Sequence, residues 1–222
     1  MEKAAPGVLK YFQSDLFLKR YAIYFSGSMI VAVLNYLFHP VLGRLLAPSD
    51  FGDVQALISL IAQAGVIFTA FSIVVVNITA NLEDRVERDA IIGELQKIAL
   101  YVVAVAVLAV LLFLSPLGEF LNFSTPYLLL GLVVMLPLTS LVTFRNAYLQ
   151  GSGRFWELSV GGIISSGGRL VLAAGLILLG MNVFGVIAGL VMAQAALLIY
   201  LFFTTRQTLH LNVRTNIHIL EK

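Results

Sequence analysis

Six long apolar runs separated by short polar stretches dominate this sequence, and they leave few folds open to it. They are residues 21–46, 54–80, 98–114, 126–149, 158–179 and 183–203. A helix rises about 1.5 Å per residue, so about 20 residues cross the hydrocarbon core of a bilayer. Each run reaches that length or comes near it. In lipid every backbone N–H and C=O must be satisfied within the protein, which leaves helices or a closed barrel. The short alternating segments of an outer-membrane barrel are absent. The expectation is an all-α polytopic integral membrane protein, six transmembrane helices in one bundle. Composition agrees: 59% of residues are hydrophobic and 12% charged, roughly half the charge of a soluble domain.

Lysine and arginine placement orients the runs. Segment 1–20 holds Lys3, Lys10, Lys19 and Arg20. The second-to-third connection holds Arg85, Arg88 and Lys97, the fourth-to-fifth holds Arg145 and Arg154, and the end of the chain holds Arg206, Arg214 and Lys222. With six spans, these twelve of the 14 basic residues lie on one side. The opposite connections, 47–53, 115–125 and 180–182, contain none. Basic loops stay cytoplasmic, so both termini are expected inside, in a cell (inner) membrane. Segment 1–20 reads as a cytoplasmic amphipathic stretch, with Val8, Leu9, Phe12 and Leu16 at helical spacing among basic residues. Residues 82–97 are also charged and are expected along the membrane surface, with the helix of the third span starting inside them. The first run is too long for a cleavable signal and reads as a signal anchor. Residues 204–222 read as a cytoplasmic tail, or a linker to a further span.

Enzyme chemistry finds little material. There are no cysteines, hence no thiolate nucleophile or thiolate metal site. His39, His210 and His218 have no metal-ligand spacing. The glycines of "GSGRFW" (residues 151–156) follow a span rather than a strand, so they do not read as a phosphate loop. No catalytic set, metal or cofactor is expected. The net charge of +2 is spread along the chain, so no nucleic-acid partner is expected either.

Ionisable groups inside spans are the default functional candidates. Arg169 falls mid-span in "IISSGGRLVLAAG". Burying a guanidinium there costs about 2.5–3.5 kcal/mol on insertion scales unless it meets water, a partner or a ligand. Its planar fork suits phosphate or carboxylate; a structural role bonded to carbonyls is the alternative. Arg44 ends the first run and reads as an interfacial anchor or a partner of Asp50 or Asp53. Ser49 or Asp50 is expected to cap the second helix. Asn35, Gln63, Asn77, Asn146, Gln150 and Gln194 place amides inside spans, as interhelical bonds or a wet interior. Gly185, Gly189 and Ala193, with Gly161/Ser165 and Gly162/Ser166, predict close packing of the fifth and sixth spans.

Two stretches carry a resemblance. "VLGRLLAPSDFG", with Arg44-Leu45-Leu46, Pro48, Asp50, Phe51 and Gly52, resembles the opening of the polysaccharide-type flippases. These belong to the superfamily that includes the MATE antiporters and lipid II flippases. "LQGSGRF", with Leu149-Gln150-Gly151, Arg154-Phe155 and a basic residue, Arg169, further on, is similar to a second element of that family. The resemblance runs from about Lys19 to Phe203. It implies translocation of a lipid-linked sugar pyrophosphate by alternating access between two six-helix lobes, the head in a polar, cationic cavity. The chain corresponds to the N-terminal lobe alone, so a second lobe or a homodimer is the implied partner, besides membrane lipids. Arg169, Arg44, Asn35 and Asn77 are the candidate substrate-binding residues. Two alternatives stand beside it. One is a MATE-like antiporter lobe, which needs an embedded carboxylate; the acids near span interiors, Glu119 and Glu157, sit at loop positions. The other is a non-transporting scaffold for glycan-assembly enzymes.

Overall fold

A computed structural model describes residues 15–206, with side chains for 22–206. The expected amphipathic segment is thus outside the described residues, except for the backbone of 15–21, and so are residues 207–222 with His210 and His218. The described chain is helical throughout: α1 (Asp15–Leu45), α2 (Pro48–Asn81), α3 (Arg85–Leu112), a short α4 (Leu114–Phe120), α5 (Leu130–Gly151), α6 (Phe155–Leu176) and α7 (Asn182–Thr205). A 3-10 turn, Pro126–Leu129, leads into α5, and a π-type turn, Ile177–Met181, closes α6.

Five helical stretches are long and apolar enough to cross a membrane: Ala22–Leu45, Pro48–Asn81, Arg85–Leu112, Pro126–Gly151 and Phe155–Thr205. The last, at 51 residues, does not run straight. Gly180 (φ 88°) and Asn182 (φ 43°) are left-handed, a conformation Gly and Asn tolerate best, and the chain folds back there. A Cβ on Gly168 would lie 3.4 Å from Ala193 Cβ, and one on Gly189 would lie 2.6 Å from the Ala173 nitrogen. These pairings step in opposite directions, so α6 and α7 form an antiparallel hairpin. Gly162 faces Val31 of α1 rather than α7; the two small-residue stripes of α6 serve two neighbours.

The α1–α2 turn is short because its residues enforce it. Ala47 is extended, as a residue before proline prefers, and Pro48 occupies the first turn of α2. This corrects the expected cap. Neither Ser49 nor Asp50 caps the helix; Ala47 precedes it without a side-chain cap. The charged residues 82–97 also differ from expectation. They are the first turns of α3, capped by Asp84 accepting from Val86 N–H and Glu87 N–H. Their buried face is Asp89, Ala90, Ile92, Gly93 and Gln96, so they pack into the protein instead of lying on a surface.

Helix α1 packs along α6 and α2 along α5, while α7 contacts α2, α5 and α6. Sequential α1 and α2 touch little, and their contacts sit near the turn: Gln55 Nε2 lies 2.9 Å from His39 Nδ1, and Gly43 meets the Phe51 ring. The largest apolar core lies at that end, with Phe38, Leu42, Leu57, Leu128, Leu129 and Val186 all within 2% exposure. The bundle is therefore sealed where its connections lack Lys and Arg. Two smaller apolar clusters, around Phe144 and Tyr148 and around Leu149 and Leu201, lie toward the end that carries Arg85, Arg88, Arg145, Arg154 and Arg206.

Candidate functional site

That end holds a cleft of about 470 Å3. Four helices supply its polar lining: Tyr24 and Ser28 on α1, Ser72 on α2, Thr143, Asn146 and Gln150 on α5, and Ser159, Ser165 and Ser166 on α6. The spacings follow helical geometry. Asn146 and Gln150 are four apart, as are Tyr24 and Ser28, so each pair shares a face. Among the described residues the lining carries no formal charge, where the resemblance implies a cationic cavity.

The charge stands beyond the cleft's far end. Arg169 follows Ser165 and Ser166 by one turn of α6, and Asn35 follows Val31, another lining residue, by one turn of α1. Arg169 Nη2 donates to Asn35 Oδ1. Its guanidinium stacks over the buried Phe38 ring, 4.8 Å from the centroid, a cation–π arrangement. Its Nε is buried with no partner among the described residues. Arg169 thus joins α6 to α1 about 21 Å along α6 from its start at Phe155, between the hydroxyl-lined cleft and the apolar seal.

The other two expected site residues lie apart from it. Arg44 is exposed at the end of α1, beyond the seal. It forms no pair with Asp50 or Asp53 among the described residues. Asn77 is exposed near the end of α2, where Asn81 Nδ2 donates to its Oδ1 at 3.1 Å. Of the four, only Arg169 and Asn35 meet.

Three features escaped sequence reasoning. Asp53 and Asp89 are buried carboxylates, 7% and 3% exposed, whereas only Glu119 and Glu157 had been weighed. Asp53 Oδ2 accepts from Ser124 N–H at 3.3 Å, tying α2 to the 113–126 connection. Asp89 pairs with Arg88 at 2.9 Å, and Arg88 lies over Tyr148 of α5. Neither carboxylate lines the cleft. The third feature is a set of arginine ties at the basic end. Arg145 donates to Thr205 Oγ1 and stacks on Phe202, and Arg154 pairs with Glu157 and donates to Thr204 O. The glycines of "GSGRFW" serve the same end of the fold. Gly153 is left-handed (φ 67°), and the N–H groups of Gly153 and Arg154 donate to Gln150 O and Leu149 O. That is a helix-terminating turn whose donors are occupied.

Long apolar helices around a polar cleft define a polytopic all-α membrane protein. Residues 17–222 match the family model described as polysaccharide biosynthesis protein, and the chain belongs to that family. No curated protein and no solved structure matches it.

Proposed function

We propose that this chain is one lobe of a translocator for a lipid-linked oligosaccharide, working by alternating access in a cell membrane. The observation that carries the reading is the cleft: hydroxyl- and amide-lined, nearer the basic end, with Arg169 between it and the apolar core at the other end. A sugar head would enter among the hydroxyls while its lipid tail stays in the bilayer, and the pyrophosphate would reach the Arg169 fork. The unpartnered Nε and the single side-chain bond to Asn35 leave that guanidinium with donors for an anion.

In this reading the α6–α7 hairpin counts as two passes, giving six spans with the basic end and both termini cytoplasmic. The cleft then opens inward. A second lobe or a second copy of the chain would cover its open side, beside the exposed apolar Phe25, Val33 and Tyr36 of α1. An antiporter mechanism would place a carboxylate in the cleft, and the lining among the described residues supplies none.

Flipping in vesicles tests this. The whole protein is reconstituted with a fluorescent short-chain prenyl-pyrophosphate oligosaccharide, and quencher added outside reports leaflet exchange. Wild-type protein should accelerate exchange, and Arg169→Ala should lower the rate at least about tenfold, the scale of one lost charged hydrogen bond. Equal rates with and without protein would overturn the reading, as would an Arg169→Ala variant exchanging at the wild-type rate.

A further inference from the structure

Two polar atoms stand unpartnered just past the deep end of the cleft, on two different helices. Thr139 Oγ1 on α5 and Arg169 Nε on α6 are both buried and bond to nothing among the described residues. Helical spacing puts both on cleft-facing sides. Thr143 lines the cleft, and Thr139 lies four residues from it on the same face of α5. Thr143 Oγ1 donates to Thr139 O at 2.8 Å across that turn. Ser165 and Ser166 line the cleft from α6, and Arg169 lies one turn beyond them. Both steps lead away from the basic end, because α5 and α6 run in opposite directions. Helix α7 fixes the common depth. Val142 and Leu197 pack in one apolar cluster, and one turn deeper on α7 a Cβ on Gly168 would meet Ala193. Thr139 and Arg169 therefore stand at one level, past the last hydroxyls of the cleft. Ser140 Oγ is also buried without a partner, but it belongs elsewhere. Ser140 shares the face of Phe144, which packs with Ile92 and Ala99 of α3.

Leaving buried polar groups unpaired costs stability, and these two have the same chemistry to offer. Arginine Nε–H can only donate, and a threonine hydroxyl can donate. Two donors beside a fixed positive charge suit an anion, and the guanidinium fork suits phosphate. We propose that Thr139 and Arg169 form a deep phosphate subsite, closed in this structure and reached when the cleft lengthens by one helical turn. The Thr139 hydroxyl then donates to a phosphate oxygen of the lipid carrier. The proposal rests on the translocator reading and deepens it: the pyrophosphate passes to two groups on facing helices, not to Arg169 alone.

The test measures binding to the whole protein in lipid nanodiscs, with a short prenyl pyrophosphate and the matching prenol as probes. Wild-type protein should bind the pyrophosphate at least about tenfold more tightly than the prenol. Thr139→Val should weaken the pyrophosphate several-fold and leave the prenol unchanged. It should also unfold at or above the wild-type temperature, because an apolar group of the same shape replaces an unpaired hydroxyl. Thr139→Ser should restore binding. Ser140→Ala should likewise unfold no lower, and should bind both probes like wild type. A folded Thr139→Val variant with wild-type affinity for the pyrophosphate would overturn the subsite. So would a loss of affinity that Ser140→Ala shares, or one that Thr139→Ser does not repair. Normal leaflet exchange in Thr139→Val, lost in Arg169→Ala, would remove Thr139 and keep the translocator. Pyrophosphate binding that depends on Thr139, without leaflet exchange by the wild-type protein, would keep the subsite and remove the translocator.

Discussion

Arg169 and Gly27 show how much of the site rests on single residues. A guanidinium inside the bundle is held by one amide and one ring, Asn35 and Phe38. Replacing Asn35 with Ala leaves more of its N–H groups unpaired, at about 1–3 kcal/mol per unsatisfied buried group. Asn35→Ala should therefore lower the thermal unfolding temperature in detergent, and an unchanged temperature would mean water already serves Arg169. Gly27 has the opposite role, since nothing larger fits. A Cβ there would lie 2.5 Å from both Ser159 Cβ and Ser159 Oγ. Gly27→Ala should destabilise the protein by about 1–3 kcal/mol through overpacking, and Ser159→Gly in the same chain should recover most of it. Additive losses in the double variant would show that α1 and α6 do not cross there. Arg169 was legible in the sequence as a charge inside an apolar run. Its partner was not: 134 residues separate Asn35 from Arg169, and no periodicity reports a contact between distant helices.

The helices themselves were legible from hydrophobic run length, and the misreadings fall at their ends. Residues 82–97 read as a segment along the membrane surface because charges outnumber apolar residues there. In the structure their charges are paired or point outward, while Ile92 and Gly93 are buried. Composition cannot register that, because a buried ion pair reads as polar sequence. The Arg88–Asp89 pair, with side chains 11% and 4% exposed, should be costly to break. Asp89→Asn removes the charge from this buried pair and should cost about 3–5 kcal/mol, measured by unfolding in detergent; a neutral result would place this segment in water. The α6–α7 hairpin has a sharper test, because the chain has no cysteine. The 3.4 Å between a Cβ on Gly168 and Ala193 Cβ is close to disulfide spacing. Gly168→Cys with Ala193→Cys should crosslink on mild oxidation and resist reduction less than a buried structural bridge. No crosslink would mean that Phe155–Thr205 does not fold back at Gly180.

The whole molecule combines an apolar end, an arginine-bearing end and a polar cleft between α1/α6 and α2/α5. The number of apolar runs and the one-sided basic residues made the class of protein legible. The family was legible from "RLLAPSDFG" and "LQGSGRF", which in the structure are two turns at opposite ends of the bundle. The cleft was legible only as scattered amides and serines, because a cavity is a relation among helices. The lack of charge in its described lining was missed for the same reason: Arg145 and Arg154 are near in sequence to Asn146 and Gln150, yet they turn to Thr205, Phe202 and Glu157. The central claim is that this cleft is the path of a lipid-linked glycan. The measurement is cysteine accessibility at Asn146→Cys in the otherwise cysteine-free chain, with a small hydrophilic maleimide, with and without a prenyl-pyrophosphate oligosaccharide. The account predicts rapid labelling that the glycolipid slows at least about tenfold, while prenyl pyrophosphate without sugar protects much less. Labelling at the same rate with and without the glycolipid would contradict it.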